Sequence, residues 1–110
     1  MCMQATPEYY TEINLQNLTI TPSSRIQFNL SDGRIVLIRD ENHAMDLDNV
    51  AYLNDTSAFI WTQLENGCDF LTTLDKMCVE YMVDRETACD DLVILINELI
   101  AKKFLEVKSD

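Results

Sequence analysis

The dipeptide Asp32-Gly33 lies between two short apolar runs, and it leaves the chain little choice at that point. Glycine takes the positive φ that a tight hairpin needs, so the chain is expected to fold back on itself here. On one side Ile26-Gln27-Phe28-Asn29-Leu30 alternates apolar with polar residues, as a half-buried strand does, and on the other Ile35-Val36-Leu37-Ile38 supplies the return. Arg39 to Ala44 then reads as a polar loop. A third strand follows, with Met45, Leu47, Ala51 and Leu53 on one face and Asp46, Asp48, Val50 and Tyr52 on the other.

After the sheet the period changes from two to 3.6. Asn54 reads as the N-cap of a first helix carrying Phe59, Ile60, Trp61 and Leu64, which Gly67 ends. Asp69 caps a second helix with Phe70, Leu74, Met77, Cys78 and Tyr81, and Asp84 opens a third over about residues 85–103. Trp61 reads as a core anchor, and Phe104-Leu105-Glu106-Val107 closes the chain. The expected fold is α+β and winged helix-turn-helix-like: a three-stranded antiparallel sheet followed by three helices. Residues 25–110 form that domain, and residues 1–24 are set apart by two prolines and the absence of any basic residue. Their stretch Ile13, Leu15, Leu18, Ile20 slips by one residue, so it reads as either a strand or a draped extension whose role is open.

Charge narrows the partners. The 19 acidic and 8 basic residues give a net charge of −11, which repels phosphate backbones and anionic lipid surfaces. The third helix carries Glu86, Asp90, Asp91 and Glu98 against Arg85, Lys102 and Lys103, so neither DNA nor a membrane is an expected partner. A basic peptide or basic protein groove is the electrostatic complement, although acidity also serves solubility alone. No signal sequence or membrane-length apolar run is present, which places the chain in the cytoplasm with reduced thiols. Cys2, Cys68, Cys78 and Cys89 form no C-x-x-C pair, and with the lone His43 they spell no metal site and no catalytic constellation. Asp46 and Asp48, two apart on a strand, read as a solvated face. No cofactor and no enzymatic activity are expected.

Two features suggest an interaction surface. The apolar positions of the third helix spread over roughly 160° of its circumference, more than a helix lying on one surface needs. Either the sheet and the other helices pack it on two sides, or the flank Cys89, Val93, Ile96 and Ile100, bordered by Asn97, is kept for a partner. The third strand's Asp46-Leu47-Asp48-Asn49-Val50 is acidic enough to resist self-pairing, yet its backbone groups can accept an added strand.

The order of these elements resembles the pyrroloquinoline-quinone biosynthesis protein D family. The resemblance rests on Tyr52-Leu53-Asn54-Asp55-Thr56-Ser57-Ala58-Phe59-Ile60-Trp61, the Glu65-Asn66-Gly67 helix end, Glu80-Tyr81-Met82-Val83-Asp84, and Asp91-Leu92 ahead of Leu99. It spans about residues 25–107, and its most specific piece is the block from Leu53 to Ala58 leading into Ile60-Trp61. What it implies is a recognition element that binds the leader of a ribosomally made precursor peptide as an added strand. The leader would then be presented to a radical S-adenosylmethionine maturase. Carried onto this chain, the peptide would lie along Asp48, Asn49, Val50, Ala51 and Tyr52 and against Cys89, Val93, Ile96, Asn97 and Ile100. An alternative is a dimerisation module using the same apolar flank on a second copy.

Overall fold

A computed structural model describes residues 9–23, 25–39 and 50–109. The Asp-Gly turn forms where expected. Gly33 sits at φ +94, and the Leu30 N–H bonds the Arg34 carbonyl at 2.8 Å, joining β2 (Ile26–Asn29) to β3 (Ile35–Ile38). β4 (Val50–Leu53) pairs with β3 on its other side, giving the antiparallel sheet β2-β3-β4 with Val36 opposite both Phe28 and Tyr52. Met45, Asp46, Leu47, Asp48 and Asn49 lie outside the described residues.

Three helices follow the sheet. Each is opened by a side chain that accepts an otherwise unpaired N–H of the first turn: Asn54 from Ser57, Asp69 from Thr72 and Asp84 from Thr87. They are α2 (Asp55–Glu65), α3 (Phe70–Tyr81) and α4 (Arg85–Ala101). Gly67, at φ +91, takes the chain out of α2. The α+β class and the succession of sheet and helices agree with the sequence pattern.

Two parts of the architecture go beyond that pattern. Thr11 and Asn14 cap each other's backbone to start a short helix, α1 (Glu12–Gln16), and β1 (Leu18–Pro22) follows it. β1 pairs antiparallel with the closing strand β5 (Leu105–Ser109), from Leu18 opposite Ser109 to Pro22 opposite Leu105. Tyr10, Leu15 and Ile20 are buried in the same core as Leu37, Trp61, Phe70, Leu92 and Phe104. Burying side chains of this size contributes about 2–3 kcal/mol each, so the N-terminal stretch helps to hold the domain together.

The face assignment of β2 also differs from an apolar-inward alternation. Phe28 is 52% exposed and Leu30 is 40% exposed, whereas Gln27 accepts a hydrogen bond of 3.1 Å from the indole N–H of Trp61. The register explains this. Gln27 lies opposite Leu37, which is fully buried, so its neighbour Phe28 must join Val36 on the outer face. A buried indole needs an acceptor, and Gln27 supplies it while the Arg25 guanidinium covers the Trp61 ring at 5.3 Å. Arg25 is itself held by the Glu65 carboxylate.

Candidate functional site

In the strand order β2-β3-β4, β4 is an edge, and among the described residues no strand pairs with its outer side. Its side chains alternate by the pleat: Ala51 and Leu53 are buried inward, Tyr52 is 77% exposed, and Val50 is half-buried. The backbone of an exposed edge strand is a template for another strand. On the outer face Phe28, Val36 and Tyr52 form a cross-strand row. Lys102, just past the end of α4, donates from Nζ to the Val50 carbonyl at 3.0 Å. That bond sets the C-terminal end of α4 beside the start of β4.

The other flank of α4 meets the N-terminal segment. The Tyr10 N–H donates to Asn97 Oδ1 at 2.6 Å, and Asn97 Nδ2 donates to the Tyr10 carbonyl at 2.8 Å. The amide thus pairs with a stretch of main chain much as a neighbouring strand would. Asn97 Nδ2 also donates to the Val93 carbonyl at 2.9 Å, one turn back along the helix, which fixes the rotamer. Cys89 and Val93 lie next to Tyr9, Glu12 and Ile94 in a cleft of about 320 Å³ and are nearly buried themselves. Burial, and then the Glu12 carboxylate that accepts from it, push the Cys89 thiol up to about 11, which makes it an unreactive thiol.

The residues expected to form one groove are therefore divided. Asn97 and Lys102 are five residues apart, about 140° around a helix, so the side of α4 bonded to Tyr10 is not the side from which Lys102 reaches Val50. Val50, Ala51 and Tyr52 lie along the open edge; Cys89, Val93 and Asn97 lie under the N-terminal segment; Ile96 has no exposed surface and Ile100 is half-buried. Asp48 and Asn49 fall outside the described residues. By helical spacing Leu95 and Glu98 lie on the same side of α4 as Lys102, and Glu98 shares a cleft with it. Leu95 belongs to the apolar arc of the third helix, but the sequence carries no sign of which end of that arc the N-terminal segment covers.

Where α4 ends, Arg39, Glu98, Ala101, Lys102 and Lys103 line a second cleft, of about 490 Å³. Among the described residues no three His, Cys, Asp or Glu side chains gather as a metal-binding group, and His43 lies outside them. No helix among them is long and apolar enough to cross a membrane.

Comparison with known proteins gives this geometry a context. None of the curated proteins matches the chain. The solved structure of TbiB1 in complex with the TbiA(beta) leader peptide is similar to it, with 27% identity and a TM-score of 0.70 over 82% of this chain and 99% of that one. The model of the coenzyme PQQ synthesis protein D family matches residues 35–105, which run from the start of β3 to the start of β5 and include the whole of β4 and α4. The chain belongs to the coenzyme PQQ synthesis protein D family.

Proposed function

We propose that this chain is a winged helix-turn-helix-like peptide-recognition domain that binds the leader of a ribosomally made precursor peptide and presents it to a modifying enzyme. The leader adds as a strand to the open edge of β4 at Val50–Leu53, with the Leu95, Glu98 and Lys102 flank of α4 as the second wall. The observation that carries the reading is the β4 edge that no strand among the described residues pairs with, linked to the end of α4 by Lys102, in a family member similar to a structure solved with a leader peptide. Main-chain hydrogen bonds supply affinity in such an arrangement, and the wall supplies selection. A radical S-adenosylmethionine maturase is the proposed enzyme partner. The Cys89, Val93 and Asn97 flank enters this reading as the seat of the N-terminal segment, which a leader would reach only by displacing that segment.

Titration calorimetry with a precursor peptide encoded beside a maturase gene tests the proposal. Heat of binding is expected, and proline placed along the peptide should abolish it at alternate positions, because proline removes only those N–H groups that face the ladder. Absence of heat at high peptide concentration would refute leader binding. Uniform tolerance of proline would refute strand addition.

A second reading is favoured by one observation, the cross-strand row of exposed Phe28, half-buried Val36 and exposed Tyr52 on the outer sheet face. There the domain would pair with a second copy, and sedimentation would detect a concentration-dependent dimer that Tyr52→Lys dissolves.

A further inference from the structure

An aromatic ring and a carboxylate four residues apart, and therefore on one side of the helix, occur twice on α2. At Trp61 and Glu65 a cation completes the arrangement: the Arg25 guanidinium lies over the ring at 5.3 Å and is held by the Glu65 carboxylate. At Asp55 and Phe59 no guanidinium of the described residues takes the third place. Phe59 instead meets Tyr81 of α3 edge to face, with ring centroids 5.5 Å apart. The two half-buried rings line, with Gly33, Asp55, Thr62 and Gln63, a cleft of about 310 Å³ in which Asp55 carries the one formal charge. Two cations stand nearby, and each has an acceptor of its own: Arg34 donates to Asp32 Oδ2 at 2.8 Å and Lys76 to Gln63 Oε1 at 3.3 Å. Burial first, and then the Glu80 and Asp55 carboxylates, push the Tyr81 hydroxyl above its ordinary value, so the charges felt at that ring are negative. The cleft sits at the end of the sheet where Ile35 pairs with Leu53, whereas residues 40–49 join the strands beyond the Ile38–Val50 pair.

No residue of this lining belongs to β4 or α4, so a leader on the β4 edge leaves the cleft open. Presentation requires such a second surface, because peptide and enzyme must be held at once. We propose that the cleft is where the domain docks on its modifying enzyme, and that it receives an arginine side chain of that enzyme; this rests on the presentation reading above. The planar guanidinium lies against the Phe59 and Tyr81 rings and pairs with the Asp55 carboxylate, as Arg25 does with Trp61 and Glu65. Arginine seated on an aromatic pocket is a recurrent anchor of protein interfaces. Met82 and Val83, which follow Tyr81 and are 90% and 38% exposed, add an adaptable apolar border. A second copy of the chain is the poorer occupant, since it brings a net charge of −11 and its Arg25, Arg34 and Arg85 are bound to carboxylates already.

The test is titration calorimetry of the full chain with the maturase encoded beside it and, separately, with the precursor peptide. Asp55→Asn is expected to weaken maturase binding about tenfold and to leave the affinity for the peptide unchanged. Glu86→Gln, which removes the same charge at the start of α4, should leave both unchanged. Thermal unfolding curves establish that the variants fold. A scan that replaces the exposed arginines of the maturase by glutamine, one at a time, uses the unaltered chain and so holds even where a variant does not fold. One replacement should reproduce the tenfold loss, and combining it with Asp55→Asn should cost little more, since both remove one contact. Undiminished maturase binding by Asp55→Asn, or an equal loss in Glu86→Gln, would overturn the cleft as the docking point. A loss of peptide binding in Asp55→Asn would place the cleft on the leader's path and overturn its assignment to the enzyme. An unaltered chain that binds the peptide and gives no heat with the maturase would overturn presentation, and the docking site with it, while leaving leader binding standing.

Discussion

Replacing Asn97 by alanine tests whether the N-terminal segment is fastened to α4 or merely rests on it. The substitution removes three hydrogen bonds, of 2.6 and 2.8 Å to Tyr10 and 2.9 Å to the Val93 carbonyl. The last belongs to a carbonyl of the helix ladder and its loss matters little. The first two join residues 87 apart in sequence, and the Tyr10 groups they satisfy lie in a partly buried setting. Each such bond is worth about 1 kcal/mol net, and an orphaned partner costs a further 1–3, partly recovered when the segment lifts and water enters; a total of about 2 kcal/mol follows. With a urea slope of about 1.5 kcal/mol per molar, the unfolding midpoint should fall by about 1.3 M. A second readout is local. As the segment lifts, the Cys89 thiol at 7% exposure should become accessible, and its reaction with an aromatic disulfide reagent in native conditions should accelerate over that of the unaltered protein. A midpoint unchanged within 0.2 M (roughly 0.3 kcal/mol), together with an unchanged Cys89 rate, would refute the fastening and reduce the contact to packing.

Three other outcomes follow from the structure. Ile96→Glu places a carboxylate where no surface is exposed, at a cost of several kcal/mol out of the roughly 5–15 that a domain has, so it should abolish the cooperative thermal transition rather than selectively remove peptide binding. Gly33→Ala puts a Cβ on a residue at φ +94, and although the nearest atom, Asp55 Oδ1, is 3.9 Å away, the backbone strain alone should lower stability by about 1 kcal/mol in a chemical denaturation curve. Asp69 and Asp84 have their carboxyls held below the usual range by the backbone N–H groups of Thr72 and Thr87. Because the folded values are depressed, that stabilisation is present above the unfolded value of about 4 and is lost as pH falls through the lower folded values. A series of thermal scans from pH 5 to pH 2 should show a smaller acid loss for the Asp69→Asn and Asp84→Asn double variant, in which asparagine still caps but does not titrate.

The elements most readily legible in the sequence were those whose signals are local. Asp32-Gly33 marks the hairpin, and Asn54, Asp69 and Asp84 mark the helix starts, because a turn or a cap is decided by one or two residues acting on their own backbone. What was not legible depends on partners distant in the chain. The pairing of Leu18–Pro22 with Leu105–Ser109 has no local signature, since neither strand contains anything that names the other. The inward turn of Gln27 escaped for a related reason: an apolar alternation reports that a strand has two faces, and only the register with Leu37 and the need of Trp61 for an acceptor decide which one is inside. The wide apolar arc of α4 was visible, as was the place of Asn97 at its border, but the arc has two ends, and Tyr10 determines which of them is covered.

That last point changes what the width of the arc means. A helix with an apolar surface wider than its contact with the sheet suggests a vacancy, and the Val93 and Asn97 flank fits that description until α1 and Tyr10 are placed over it. Once they are, the surplus is consumed within the chain, and the open groups lie elsewhere: the main chain of β4, and the polar flank of α4 with Glu98 and Lys102. An edge strand recognises backbone and does not depend on an apolar stripe to do so, whereas the flank beside it carries charges able to discriminate among sequences. Under the proposed strand addition, discrimination among peptides falls to the flank of α4 beside Lys102, and the hydrophobic part of the helix serves chiefly to keep that flank in position.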